Sequence, residues 1–248
     1  MPTWVTHMMV ADKILEKLPQ LDKHGFCVGN IAPDCNIQNE DWTVYTPSRA
    51  VTHWMQGSRK AIADVDAFCK EYILKRKEMI TSGEEYSFLL GYYSHLITDA
   101  VFQEMILKEN RVAAVWARVK SEEDIMFRFN ELREKKGESL PETWDTVKLL
   151  IPKEVRMREL ESLEAEYLQE YPKSGYITDI MPLKEFPDYI DYLPHGSIAF
   201  KIPYLGSYIP RIYEEARFVA LSKEEFKTYI EDTVNLVVSR FEKWDLCR

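Results

Sequence analysis

The stretch from Tyr86 to Gln103, YSFLLGYYSHLITDAVFQ, constrains the fold of this chain more than any other part of the sequence. Ser82 and Glu85 form a capping-box pattern just before it, which predicts a helix over about residues 84–107. The only formal charge in the stretch is Asp99. A helix that is apolar on nearly all faces is typical of a protein interior. The sequence therefore predicts a buried central helix.

One narrow polar stripe runs along this helix. Ser94 and Thr98 lie beside it, and its members recur at every fourth position: Ser87, Gly91, His95, Asp99 and Gln103. His95 and Asp99 are one turn apart and point at the same spot. A buried carboxylate is costly unless something compensates its charge, and a bound cation would do so. The alternative is a simple hydrogen bond from a core histidine to Asp99, and this pair by itself favours that alternative.

The rest of the chain predicts an all-α fold. Long stretches carry Glu, Lys, Leu and Ala at helical period, and the chain has only nine glycines among 248 residues. The length permits one large domain or two small ones. We expect a single multi-helix bundle over residues 1–248, with a metal-binding core at 1–110. Residues 111–248 would add further helices and a connection rich in proline and aromatic residues at 172–210.

Composition also bounds the function. The net charge of −9 disfavours a nucleic-acid partner, because phosphate backbones repel an acidic protein. We find no basic segment followed by an apolar run and no apolar stretch that predicts a membrane span, so we expect a cytoplasmic protein. The four cysteines show no metal-binding or redox spacing and are expected to be reduced. The sequence leaves the oligomeric state open.

Three further polar residues stand out, and two of them, His7 and Asp34, have a simpler alternative. His7 begins a helix predicted over residues 6–18, where it would ordinarily be exposed. Asp34 follows Pro33 in an irregular segment and can be explained as a turn residue. His53 lies in a helix predicted over residues 48–79, away from the apolar stripe of that helix.

Two glycines accompany the two helical histidines. Gly57 follows His53 by one turn, and Gly91 precedes His95 by one turn. Small residues on both histidine faces would allow the two helices to approach closely, as a shared ligand site requires. We also expect Trp42 and Tyr45, in the loop after Asp34, to lie near the site, with packing over helix ends as an equal alternative.

Four separate segments resemble the zinc-dependent phospholipase C family, whose all-α fold is shared with the fungal single-strand nucleases. They are THMMVADKIL, VGNIAPD, AVTHW and FLLGYYSHLITD, and the resemblance covers about residues 3–107. It implies that Asp34, His53, His95 and Asp99 hold one Zn²⁺, and that Asp99 bridges to a second Zn²⁺ bound by His7. A two-metal site of this kind activates water and neutralises the oxygens of a phosphoester. The resemblance also implies, more weakly, that Asp34 is a catalytic base.

The chain departs from the family at two places. Secreted members use a processed N-terminal tryptophan as a further ligand, whereas Trp4 is internal here. Their third zinc needs a histidine where this chain has Met105, followed by an HxxxE pair that this chain lacks. We therefore expect one tight and one weaker Zn²⁺ and no third site of the family type. With no partner in register, His195 is expected to be structural or exposed.

The leading hypothesis is a metal-dependent hydrolase of phosphoesters that resembles zinc-dependent phospholipase C. Its substrate could be a phospholipid head-group ester, a smaller phosphodiester or a nucleotide. The alternative is a degenerate member of the family that binds a metal and a ligand without turnover. A phosphohydrolase of the HD type is disfavoured, because the chain has no adjacent His-Asp pair.

Overall fold

A computed structural model describes residues 2–41, 43–56, 64–136 and 140–247. The all-α prediction is confirmed, since helices dominate and the described residues form only one two-stranded sheet. The longer helices are α1 (Trp4–Lys17), α2 (Lys23–Gly29), α5 (Gly83–Leu107), α6 (Glu109–Ser121), α7 (Glu123–Lys136), α8 (Trp144–Leu150), α9 (Lys153–Glu170) and α11 (Lys223–Lys243).

Shorter elements connect these helices. They are α3 (Arg49–Thr52), α4 (Val65–Phe68) and α10 (Ser197–Lys201), a 3₁₀ turn at Ala32–Asp34, and π-helical turns at Cys69–Leu74, Tyr176–Ile180 and Ile202–Gly206. Strands β1 (Ile37–Gln38) and β2 (Tyr45–Thr46) pair antiparallel, with Ile37 opposite Thr46 and Gln38 opposite Tyr45. None of the described helices is long and apolar enough to cross a membrane.

The chain divides into two compact units. The first comprises residues 1–102, 171–208 and 230–248, and the second comprises residues 103–170 and 209–229. The expectation of a single domain stays a prediction. Most of the proline-rich connection falls in the first unit, where its tyrosines are hydrogen-bonded. The Tyr192 hydroxyl lies 2.8 Å from that of Tyr92, and the Tyr176 hydroxyl donates to the carbonyl of Tyr208 at 2.5 Å.

Helix α5 is buried in the first unit, as its sequence predicts. Side chains on all of its faces are buried, including Phe88, Tyr92, Tyr93 and Leu96. Its start follows the predicted cap, because the backbone N–H of Glu85 donates to the Ser82 hydroxyl at 3.0 Å. The polar stripe is therefore enclosed by protein and not by solvent.

Glycines bring α2 against α5. A Cβ added to Gly91 would lie 2.1 Å from the carbonyl oxygen of Phe26, and one added to Gly29 would lie 2.0 Å from that of Phe88. Either distance is far too short for a real contact, so only glycine permits this spacing. Gly91 therefore allows α5 to lie close to the backbone of α2. The sequence had predicted that it would allow close approach of the segment that carries His53. Gly57 lies outside the described residues.

The predicted helix over residues 48–79 is wrong. Helix α3 ends at Thr52, and Trp54 has a left-handed backbone conformation with φ of +52°. The carbonyl of Thr52, which would accept a helical hydrogen bond four residues later, instead accepts one from the Tyr92 hydroxyl at 2.5 Å. With the helix ending here, Val51 is 46% exposed and His53 is buried.

The second unit has its own core. Trp116, Val147 and Leu150 are buried in it together with Ile125 and Val219. The buried carboxylate of Glu159 accepts hydrogen bonds from the backbone N–H groups of residues 219, 220 and 221 at 2.8, 3.0 and 3.0 Å. Burial raises the pKa of Glu159, although these three bonds oppose the rise. This carboxylate therefore fixes the segment that leads into α11.

Candidate metal centre

Three separate elements bring polar side chains to the stripe of α5. His7 lies in the first turns of α1, Asp34 ends the 3₁₀ turn, and His53 follows α3 directly. His7 and His53 are 1% and 4% exposed, so the simpler alternative of a solvent-exposed His7 is excluded. The burial of both imidazoles next to His95 places them where a ligand set would need them.

Nitrogen and oxygen atoms converge at the centre of this group. The Nε2 atoms of His53 and His95 are 3.4 Å apart, and Oδ2 of Asp99 lies 3.5 Å from the first and 3.8 Å from the second. Oδ1 of Asp34 lies 3.4 Å from His53 Nε2. Nε2 of His95, Oδ1 of Asp34 and Oδ2 of Asp99 thus all lie within 3.5 Å of Nε2 of His53.

The two oxygens of Asp99 face different histidines. Oδ2 faces His53 and His95, whereas Oδ1 lies 3.7 Å from Nε2 of His7. The rings of His7 and His95 are stacked, with centroids 3.8 Å apart and planes 4° from parallel. Two overlapping groups follow, each with ligand atoms within 4.8 Å of one another: His7 with His95 and Asp99, and Asp34 with His53 and His95. Asp99 is therefore oriented to join two neighbouring positions.

A hydrogen bond at the outer nitrogen decides the tautomer of His95, and His53 has a partner at the same atom. Nδ1 of His95 lies 2.8 Å from the carbonyl oxygen of Asn30, which can only accept, so Nδ1 carries the proton. Nδ1 of His53 lies 2.8 Å from the Thr52 hydroxyl, which itself donates to the carbonyl of Arg49 at 3.5 Å. The two Nε2 atoms lie 3.4 Å apart, and that of His53 also lies 3.4 Å from Nη2 of Arg49. With the proton of His95 held on Nδ1, its Nε2 atom is the nitrogen available to a metal ion.

His7 differs from the other two histidines. Its Nδ1 atom is buried and has no hydrogen-bond partner among the described residues. Its ring is therefore less firmly oriented than that of His95. Burial lowers the pKa of His7 well below its ordinary value and also lowers the pKa of His95. Both rings are neutral near pH 7, which is the form that binds metal ions.

Asp34 is held through both of its oxygens. Oδ2 accepts a hydrogen bond from the indole N–H of Trp4 at 3.2 Å, and Oδ1 accepts one from the Arg49 guanidinium at 3.1 Å. Burial by itself would raise the pKa of Asp34, but the contact with His53 and the positive charge of Arg49 hold it well below its ordinary value. Asp34 is consequently ionised, as a metal ligand must be.

Sequence reasoning missed several residues that support this group. Trp4 and Arg49 contact Asp34, the carbonyl of Asn30 orients His95, and the Thr52 hydroxyl contacts His53. A backbone carbonyl carries no signal in the side-chain sequence. Arg49 precedes His53 by four residues, which is the one local signal that was available.

Other predicted residues lie apart from the group or remain untested. The side chain of His195 is fully exposed and pairs with Asp188. Trp42 lies outside the described residues. Tyr45 is half-buried in β2, opposite Gln38, and its place beside the site stays a prediction. The assignment of His7, Asp34, His53, His95 and Asp99 as ligands also stays a prediction, although the structure brings all five together.

The donor set agrees with a particular class of metal. Imidazole nitrogens mixed with carboxylate oxygens suit Zn²⁺, whereas Ca²⁺ and Mg²⁺ prefer oxygen ligands throughout. Comparisons with curated proteins and with solved structures each gave no match. Residues 6–102, which contain all five candidate ligands, match the model of the family described as zinc dependent phospholipase C, and the resemblance is confirmed over this part of the chain.

Proposed function

We propose that this protein is a metal-dependent hydrolase of phosphoesters. The observation that carries the proposal is the convergence of Nε2 of His53 and Nε2 of His95, 3.4 Å apart, beside carboxylate oxygens of Asp34 and Asp99. Imidazole nitrogens and carboxylate oxygens at such short separations form the kind of donor set that Zn²⁺ takes in proteins. The family match over residues 6–102 supports zinc as the metal.

The proposed ligands divide into two positions. Asp34, His53, His95 and Asp99 would hold the first ion, and His7 with Asp99 would hold a second, weaker one. When bound, such ions activate water and neutralise charge on the oxygens of a phosphoester. The protein fixes the ligand geometry through Asn30, Thr52 and Trp4, whose contacts orient His95, His53 and Asp34.

Asp34 is better suited to hold a metal than to take up a proton. A general base works best with a pKa near the working pH, whereas the pKa of Asp34 lies well below the ordinary carboxyl value. Its two oxygens also have partners, in Trp4 and Arg49. We therefore propose the ligand role for Asp34 and leave the role of catalytic base unassigned.

We propose a small phosphodiester or a phospholipid head-group ester as the substrate. Either would present one phosphoryl group to the site. The net charge of −9 disfavours a long nucleic acid.

The test combines elemental analysis with an activity panel. Protein purified without an affinity metal should contain zinc and should hydrolyse at least one soluble phosphodiester or head-group ester, and chelation should abolish that activity. Asp99→Asn should lose both zinc and activity. Asp179→Asn, which alters a carboxylate paired with His24 outside the two groups, should keep both. Absence of zinc in the natural protein would refute the proposal, and zinc without turnover would favour a ligand-binding protein.

A further inference from the structure

A positively charged side chain reaches into the candidate metal centre from its exposed side. Arg49 is the first residue of α3, one turn before His53. Its Nη2 atom lies 3.1 Å from Oδ1 of Asp34 and 3.4 Å from Nε2 of His53. The side chain is 34% exposed, so the guanidinium contacts both the buried ligands and solvent.

A second cation nearby has a different role. The ammonium group of Lys201 donates to the carbonyl of Asn36 at 3.1 Å and also contacts the side chain of Gln38. Lys201 is only 3% exposed. It fixes the segment that follows Asp34 from within, and a ligand arriving from solvent would meet Arg49 instead.

Arg49 and a metal ion require the same atom. Nε2 of His53 has one lone pair, which can face the guanidinium or a metal ion but not both. A divalent cation at Asp34 and His53 would also repel the guanidinium. Arg49 therefore occupies part of the position that the first ion needs, and metal binding would direct its N–H donors elsewhere.

The released donors would suit one kind of ligand. A guanidinium presents a planar set of N–H groups that matches the oxygens of a phosphoryl group. The half-exposed position of Arg49 lets it move towards solvent at the edge of the site while its backbone stays in α3. A phosphoryl group at the metal centre would then lie within the reach of Arg49.

We propose that Arg49 competes with the first metal ion for Asp34 and His53, and that it binds a phosphoryl group once the metal is in place. This inference rests on the proposed metal site but needs no turnover for its test. Its two parts predict effects of opposite sign, which general damage to the site would not produce.

The experiment measures two affinities in Arg49→Met. Zinc affinity of metal-free protein is measured by competition with a chromophoric chelator, and binding of inorganic phosphate to zinc-loaded protein is measured by calorimetry. We expect zinc to bind about tenfold more tightly and phosphate about tenfold more weakly, since hydrogen bonds to charged groups have roughly this effect on affinity. Arg49→Gln keeps hydrogen-bonding groups but no charge, and it should also bind zinc more tightly and phosphate more weakly. It replaces Arg49→Met in the experiment if that variant does not fold.

Arg76→Met is the matched control. Arg76 pairs with Asp191 at 2.9 Å, and its side chain is 35% exposed, compared with 34% for Arg49. Asp191 belongs to neither candidate ligand group, so both affinities should stay at the natural value. Dimethyl phosphate as a second probe separates the possible sources of the ligand. If the site binds phosphodiesters, Arg49→Met should bind both probes more weakly than the natural protein. If it binds only free phosphate, only the affinity for inorganic phosphate should fall.

Two results would overturn the inference. One is zinc affinity in Arg49→Met that is unchanged or weaker, which would make the guanidinium a support for Asp34. The other is unchanged phosphate affinity. The natural protein can also fail to hydrolyse anything in the panel while Arg49→Met still shifts the two affinities in opposite directions. That result would refute the hydrolase proposal but leave the anion site intact.

Discussion

Replacement of Gly91 by alanine tests whether the spacing of two helices positions His95, one of the proposed metal ligands. Gly91 lies one turn before His95 on α5 and faces the backbone of α2. The new Cβ atom would lie 2.1 Å from the carbonyl oxygen of Phe26 and 3.0 Å from the backbone nitrogen of Asn30. The carbonyl of Asn30 is the group that accepts the proton of His95 Nδ1 at 2.8 Å.

The structure sets the expected magnitude. The overlap with Phe26 exceeds 1 Å relative to ordinary contact, and it involves backbone atoms that no rotamer change can move. Alanine gains about 1 kcal/mol of helix propensity over glycine. Overpacking of a core typically costs about 1–3 kcal/mol, and this backbone overlap falls at or above the upper end. We therefore expect a net loss of about 2 kcal/mol in the free energy of unfolding.

Metal affinity should fall by a separate route. If α2 moves away to relieve the overlap, the bond from His95 to Asn30 lengthens and the ring loses its fixed orientation. Loss of such a supporting contact typically weakens metal binding by about 10- to 100-fold. Urea unfolding in the presence of a chelator measures the first effect, and zinc competition titration measures the second.

Gly83 provides the control on the same helix. A Cβ added there meets nothing within 4 Å, so Gly83→Ala should be neutral or stabilise the protein by up to about 1 kcal/mol through the unfolded chain. Its zinc affinity should not change. The reasoning is refuted if Gly91→Ala is as stable as Gly83→Ala, or if it is destabilised yet binds zinc with natural affinity.

Four further predictions concern the same site. His95→Ala should lose bound zinc and thermal stability, whereas His24→Ala, at a half-exposed ring beside an aspartate, should lose neither by elemental analysis and thermal melting. Zinc titration of metal-free protein should show two binding steps, and His7→Ala should abolish only the weaker one. If the weaker step is unchanged in His7→Ala, His7 is not a ligand. Trp4→Phe, which removes the N–H donor to Asp34, should weaken the tight step by about 10- to 100-fold, whereas Trp116→Phe, which removes an indole donor in the second unit, should not. Burial lowers the pKa of His7 and His95, so the unfolded chain binds protons near pH 6.5 that the folded chain does not. Unfolding of chelated protein should therefore become easier as the pH falls from about 7.5 to about 5.5, and a flat profile would contradict the burial of neutral rings.

The sequence determined the features that depend on local geometry. The spacing of His95 and Asp99 and the apolar residues around them predicted a buried helix with a polar stripe, because a helical turn alone places residues four apart on one face. The capping pattern at Ser82 and Glu85 is also local, and the backbone N–H of Glu85 donates to the Ser82 hydroxyl at 3.0 Å as it predicts. Local contacts of this kind need no knowledge of the rest of the chain.

Only the tertiary structure decided how the other residues meet this stripe. Helix α3 ends before His53, where the carbonyl of Thr52 accepts a hydrogen bond from Tyr92, forty residues away in the chain. Periodicity cannot reveal such a bond, so the sequence predicted a continuous helix there. The orientation of His95 likewise depends on a backbone carbonyl of α2, which no side-chain pattern encodes. Residue types and spacing thus identified the candidate ligands, and packing between distant segments supplied their burial, tautomers and neighbouring charges.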